Sequence, residues 1–163
     1  MLQKIRSYFL RLNEESLVPE DGFLCSVFLM CKEDELEVSP VQFDFYHSSE
    51  GVMTSYRFEG DELVVQPKSQ IFNDNKKEII ELNLNKDLID FDQVYLKAKE
   101  FLKIYNDSVD KLIIILQCID NCVIWNITFL TPTFNMFNVK INAETLEVIK
   151  KEYSSLLSFK KEK

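Results

Sequence analysis

The sequence predicts an α+β domain in which antiparallel sheet is packed by one helix in each half. Three observations carry this. Two stretches repeat apolar residues every three or four positions, the spacing of an amphipathic helix. Most of the remaining apolar residues alternate with polar ones, the period of a half-buried strand. Thirteen Phe and six Tyr supply the bulky side chains that suit pleated surfaces.

Leu2, Ile5, Phe9 and Leu12 define the first helix. Pro19 to Gly22 breaks it, and Phe23 to Cys31 reads as a strand apolar on both faces and hence well buried. Glu33 to Glu37 is an acidic turn. Val41, Phe43 and Phe45 alternate with Gln42 and Asp44 in a half-buried strand. After a turn at His47–Gly51, Val52, Thr54, Tyr56 and Phe58 form another, and Glu59-Gly60-Asp61 leads into Leu63–Val65. Pro67 to Lys77 reads as a polar loop pinned by Ile71 and Phe72, and Ile79 to Leu84 as a short strand or extended connector. Asp90 with Gln93 resembles a capping box opening a second helix, with Phe91, Val94, Ala98, Phe101, Leu102 and Tyr105 as its buried stripe. Asn106 to Asp110 ends it. Lys111–Cys118 and Cys122–Leu130 form a hairpin about Asp120-Asn121, with Leu112–Leu116 as a buried strand. Phe134–Ile141 follows a turn at Thr131–Thr133. Residues 143–157 fit a helix through Leu146, Ile149, Tyr153, Leu156 and Leu157, or a closing strand through Val148–Tyr153. Local propensity favours the helix.

The 163 residues suit one globular domain, with two similar halves at 1–85 and 86–163. The halves share a candidate internal duplication. Val41, Phe43 and Phe45 match Val123, Trp125 and Ile127; Tyr56, Phe58, Leu63 and Val65 match Val139, Ile141, Leu146 and Val148. That match favours a strand at the end of the chain.

The segment from Phe137 through Asn142-Ala143-Glu144-Thr145-Leu146-Glu147 to Ile149 resembles the closing hairpin of PepSY domains, the peptidase-propeptide and YpeB-type family. That family usually reads apolar strand, Asp-Ala-x-Thr-Gly-Glu, apolar strand. Here Asn142 stands for the Asp and Leu146 for the Gly. The resemblance covers residues 88–153 and implies a fold with cystatin-like helix-on-sheet packing. It implies partner binding or restraint rather than catalysis, and no family site residue transfers.

The formal net charge is −8, which repels phosphate backbones and anionic lipid. Nucleic-acid and membrane partners are therefore not expected, and the basic tail Lys160, Lys161 and Lys163 reads as a solvated end. No signal peptide and no run of about 20 apolar residues is present, so a cytoplasmic location is expected. Cys25, Cys31, Cys118 and Cys122 read as reduced core thiols. Their spacings are too wide for C-x2-C zinc pairs, and Cys118 and Cys122 could meet only across a hairpin.

No phosphate-loop, dinucleotide, zincin or nucleophile-elbow motif occurs. The single histidine, His47, reads as an exposed turn residue beside Ser48 and Ser49. Asp87, Asp90 and Asp92 read as helix-capping charges, and Asp34, Glu35 and Glu37 as solvated turn residues. No catalytic residue, cofactor or metal is expected. Phe134, Met136 and Phe137 crowd one strand too closely to share a face, so they mark a candidate interaction surface, either a groove or a homodimer contact. The expected function is a non-enzymatic protein-binding or regulatory module. The alternative is an acidic immunity protein or secretion chaperone for a basic partner. Third is a cystatin-like ligand binder or enzyme with a pocket between sheet and helix.

Overall fold

The apolar stripe at Leu2, Ile5 and Leu12 is buried in helix α1 (Leu2–Glu14), and the stripe at Phe91, Val94, Ala98 and Leu102 in helix α2 (Phe91–Leu102). These positions come from a computed structural model, which describes residues 1–70, 78–105 and 108–155. The alternating segments form eight strands: β1 (Gly22–Cys31), β2 (Val41–His47), β3 (Val52–Glu59), β4 (Glu62–Gln70), β5 (Lys111–Ile119), β6 (Cys122–Leu130), β7 (Asn135–Asn142) and β8 (Val148–Ser155). All join one antiparallel sheet in the order β4-β3-β2-β1-β5-β6-β7-β8. The two halves thus share a single sheet, joined where β1 pairs with β5 from Ser26↔Gln117 to Cys31↔Leu112.

Both helices lie on the same face. Tyr8 of α1 stacks on Phe58 at 4.3 Å, and Phe9 approaches Phe43 and Phe45. Phe91 of α2 meets Trp125 edge-on at 5.3 Å, and Tyr95 stacks on Phe129. Each helix therefore covers the middle of its own half. The core between the layers is built from alternate strand residues, among them Val27, Leu29, Phe43, Phe58, Ile114, Trp125, Ile127 and Val139. The connector ahead of α2 adds Leu82, Leu84 and Leu88 to that core, and an isolated bridge pairs its Ile80 with Cys118.

The last described segment is strand β8, the alternative that the match between the halves favours over the helix of local propensity. Asn142 folds the chain back: its side-chain oxygen accepts from the backbone N–H of Glu144 and Thr145, and its own N–H donates to Glu147. Leu146 adopts a φ of 64° to complete the turn. Ladder partners along β7 then override the helix propensity of Ala143, Glu144 and Lys150. Other expectations are corrected. Pro67 lies within β4 rather than in a loop. An edge strand tolerates a residue that donates no ladder bond, and a register shift opposite Met53–Ser55 accommodates it. The expected anchors Ile71 and Phe72, the helix stop at Asn106, Leu156 and Leu157, and the basic tail lie outside the described residues. Asp90 sits at the N-cap of α2, yet its carboxylate makes no cap bond there. It accepts instead from Leu2 N–H and lies 3.5 Å from the Met1 amino group, at the start of α1.

Asp120 and Asn121 join β5 to β6 with φ of 50° and 63°, the backbone of a type I′ hairpin turn. Glycine reaches this region without strain, so Asn121→Gly is expected to stabilise the protein by about 0.5–1 kcal/mol. A thermal midpoint raised by roughly 1–4 °C would report it; an unchanged or lower midpoint would contradict this account of the turn.

Candidate functional site: the open face of the sheet

With both helices on one side, the other side of the sheet is left to the remaining half of each strand's residues. The pairing register arranges these in rows across the strands. One row runs Val64, Arg57, Gln42, Phe28, Ile115, Asn126, Lys140 and Lys150, from β4 to β8. The next row, two residues along, carries Glu62 and Glu59 on β4 and β3, then Met30, Ile113, Thr128, Asn138 and Glu152. At the centre, on β1 and β5, four apolar residues meet: Phe28, Met30, Ile113 and Ile115. Met30 is 52% exposed, and the other three are half-buried. A shallow depression beside them is lined by Phe28, Met30, Pro40, Gln42 and Arg57. The runs Phe23–Cys31 and Leu112–Leu116 are thus not buried on both faces, as expected from sequence. Their second face is this one.

Asp44 organises the same side of β1–β3. It is 7% exposed, and its carboxylate accepts from Ser26 Oγ at 2.7 Å, Gln42 Nε2 at 2.8 Å and Ser55 Oγ at 2.6 Å. A buried carboxylate is tolerable because three donors replace its water. Alternation alone made Asp44 a plain outward-facing residue. The signal missed was a set of small hydroxyl and amide residues (Ser26, Gln42, Ser55) on neighbouring strands.

The residues expected to form a surface are divided. Phe134 is 60% exposed in the turn after β6, with φ of 59°. Met136 lies half-buried on the open face, opposite Leu130. Phe137 is 1% exposed and stacks with Phe129 in the core, while the ring of Tyr105, itself 42% exposed, meets it at a tilt of 45°. Strand alternation separates Met136 from Phe137.

His47 is not an exposed turn residue. The turn begins one position later, and His47 ends β2 in core phase, 3% exposed. Its Nδ1 lies 3.0 Å from Asp21 and its Nε2 2.8 Å from Thr54 Oγ1. The hydrogen bond from His47 holds the Asp21 carboxyl below its usual range. Asp, His and Thr in series resemble a nucleophile relay. Here Thr54 is buried within β3, so the series ties the Pro19–Gly22 turn to the β2–β3 hairpin. Gly22 completes that contact: a Cβ there would sit 3.2 Å from Tyr46 O and 3.4 Å from His47 Nδ1.

The four cysteines are free. Cys25 and Cys31 are buried, Cys118 is intermediate, and Cys122 is exposed, which corrects its expected place in the core. Cys118 pairs with Val123 and Cys122 with Ile119, so the two thiols point to opposite faces of the hairpin. Burial pushes the Cys25 thiol up to about 12, against about 8.5 in an unfolded chain. A raised folded value stabilises the protein fully below the unfolded pKa, and this is lost as pH rises towards the folded one. Wild type is therefore expected to lose about 1.4 kcal/mol more per pH unit than Cys25→Ala between about pH 9 and 12. Urea unfolding of both at pH 8 and pH 10 checks this; parallel pH dependence would refute it.

Among the described residues, no group of three or more His, Cys, Asp or Glu side chains is placed to hold a metal, and no helix is long and apolar enough to cross a membrane. No family model and no curated protein matches the chain. Among solved structures, a protein of Clostridium difficile 630 provisionally named a lipoprotein aligns with a TM-score of 0.58. The alignment has 13% identity and covers 91% of this chain and 90% of that one. The likeness is one of fold: an antiparallel sheet with packed helices.

Proposed function

We propose that the chain is a non-enzymatic protein-binding module that acts through the open face of its sheet. The observation that carries this is the apolar centre Phe28, Met30, Ile113 and Ile115, which no described helix covers. Apolar residues concentrated at the middle of a face, with charged residues at its ends, have the anatomy of a contact surface. Phe134 and Met136 extend it at one end.

We also read the fold as a duplicated PepSY-like unit. Each half runs helix then four antiparallel strands, and the strand order mirrors itself about the β1–β5 seam. Val41, Phe43 and Phe45 occupy in β2 the places that Val123, Trp125 and Ile127 occupy in β6. Leu146 holds the left-handed backbone of the closing turn, where the family usually has glycine.

The test is capture with the tagged chain and with Ile115→Asp, at low and moderate salt, after matching their circular dichroism. One stoichiometric protein, untagged copies of this chain included, should be held by the wild type at both salts and lost by the variant. Equal capture by both would move the contact elsewhere.

A second reading, an acidic immunity protein or secretion chaperone, draws on a different surface. Glu33, Asp34 and Glu35 form an exposed 3-10 turn after β1, and Asp110 lines the same depression as Glu33 and Asp34. Its partner would be basic, unaffected by Ile115→Asp and released at moderate salt.

A further inference from the structure

We propose that the open face binds a second copy of this chain, across a two-fold axis that lies between the stacked sheets and runs perpendicular to the strands. This rests on reading the open face as a protein-contact surface. The row order selects both the partner and the axis.

Lys and Arg fall in one row and Glu in its neighbour. Arg57, Lys140 and Lys150 belong to the row through Phe28 and Ile115; Glu59, Glu62 and Glu152 belong to the row through Met30 and Ile113. A two-fold axis between these rows lays each on the other. Phe28 then faces Met30 of the other copy, and Ile115 faces Ile113. Arg57 faces Glu59, and Lys150 faces Glu152. Within one copy Arg57 already lies 3.1 Å from Glu59 and Lys150 2.7 Å from Glu152. The dimer would extend these pairs into shared four-charge groups. An axis parallel to the strands would instead lay each row on itself, setting Arg57 against Lys140 and Glu62 against Glu152. Like charges facing across an interface oppose that arrangement.

The overall charge fits a self-partner. The chain carries −8, yet this face balances Arg57, Lys111, Lys140 and Lys150 against Asp44, Glu59, Glu62 and Glu152. The acidic excess lies elsewhere, so two copies can approach here without the repulsion they meet on other sides. The extent is adequate too. Seven gaps of about 4.8 Å between eight strands and three of about 6.7 Å between four rows enclose roughly 680 Å², comparable to the ~800 Å² per partner of a standard interface. An isologous contact of this kind closes on itself as a dimer.

Sedimentation equilibrium of the full chain tests this. The wild type should approach twice 19.2 kDa. Ile115→Asp should weaken association more than ~100-fold, by placing a charge at the apolar centre. Arg57→Glu should weaken it about tenfold, and Arg57→Glu combined with Glu59→Lys should restore it to within about threefold. Unfolding midpoints confirm that each variant folds. Tighter association of Arg57→Glu would overturn the axis in favour of the strand-parallel one. A dimer indifferent to all three variants would place the contact elsewhere, for example on the β4 or β8 edges. A wild type that stays monomeric overturns the self-partner. In that case, capture of a different protein that Ile115→Asp abolishes would leave the binding face standing, and absence of any capture would remove both.

Discussion

Trp125→Ala should cost about 3–5 kcal/mol and lower the thermal midpoint by roughly 10–15 °C. Trp125 is the only tryptophan and is fully buried in β6. Its ring meets Phe91 at the start of α2, and its Nε1–H donates to Ile89 O at 3.1 Å. Ile89 is held a second time, donating its own N–H to Ala143 O at 2.7 Å, while Ala143 N–H donates to Val123 O. The indole thus joins the connector, the second helix and the β7–β8 turn. Truncation would open a large cavity and leave the half-buried Ile89 carbonyl without its indole donor. Trp125→Phe keeps a ring against Phe91 but loses the N–H, and should cost about 1–2 kcal/mol. Urea unfolding of the three proteins measures both steps. A loss below ~1 kcal/mol for the alanine variant would mean that the helix and the sheet are not coupled through this side chain.

That coupling was partly legible in the sequence. The stripe beginning at Phe91 and the alternation through Val123, Trp125 and Ile127 place both rings on apolar faces, and a helix following a connector must cover a sheet. The bond from Trp125 to Ile89 was not legible, because no local pattern says which carbonyl lies over a ring 36 positions away in the chain. The strand at the end of the chain was misjudged by propensity for a similar reason. Helix formers cluster at Ala143–Lys150, but one Asn side chain and one left-handed leucine close a hairpin whose partner strand supplies every ladder bond. His47 was misplaced by one residue of strand length, enough to turn an exposed ring into a buried one with a partner at each nitrogen.

The open face was visible but misread. Phe23–Cys31 and Lys111–Cys118 are continuous apolar runs, and such runs ordinarily mean strands covered on both sides. Among the described residues there are two α-helices, and both pack on the same face. Two-sided apolar strands and one-sided cover leave apolar residues uncovered at the seam of the halves, where β1 and β5 lie side by side. The aromatic crowding at Phe134–Phe137 pointed instead to the rim of that surface and to one residue, Phe137, that belongs to the core.

The polar half of the same face should answer most strongly to Asp44. Asp44→Ala removes the acceptor of Ser26, Gln42 and Ser55 and leaves three donors on β1, β2 and β3 without their partner. Hydrogen bonds to an ionised group contribute about 1.5–3 kcal/mol each, and bonds within one network do not add. A loss of about 2–4 kcal/mol is therefore expected. Asp44→Asn keeps the shape and one acceptor oxygen. With its Oδ1 toward Gln42 and Ser55 the asparagine keeps both of those donors, and its Nδ2 donates to Ser26, whose hydroxyl can rotate to accept. Its cost should stay near 1 kcal/mol. Equal losses for Asn and Ala would show that the negative charge, rather than the hydrogen-bond geometry, holds the three strands. A negligible loss for both would show that β1–β3 are held by the Phe43–Phe45–Phe58 core alone, with the face that Asp44 supports free to shift above it. The distinction bears on binding. Asp44 shares its row with Ser26, and Ser26 precedes Phe28 on β1. A charge-held network fixes the apolar centre in one position, and for the contact proposed above, pre-organisation of that kind would lower the cost of association.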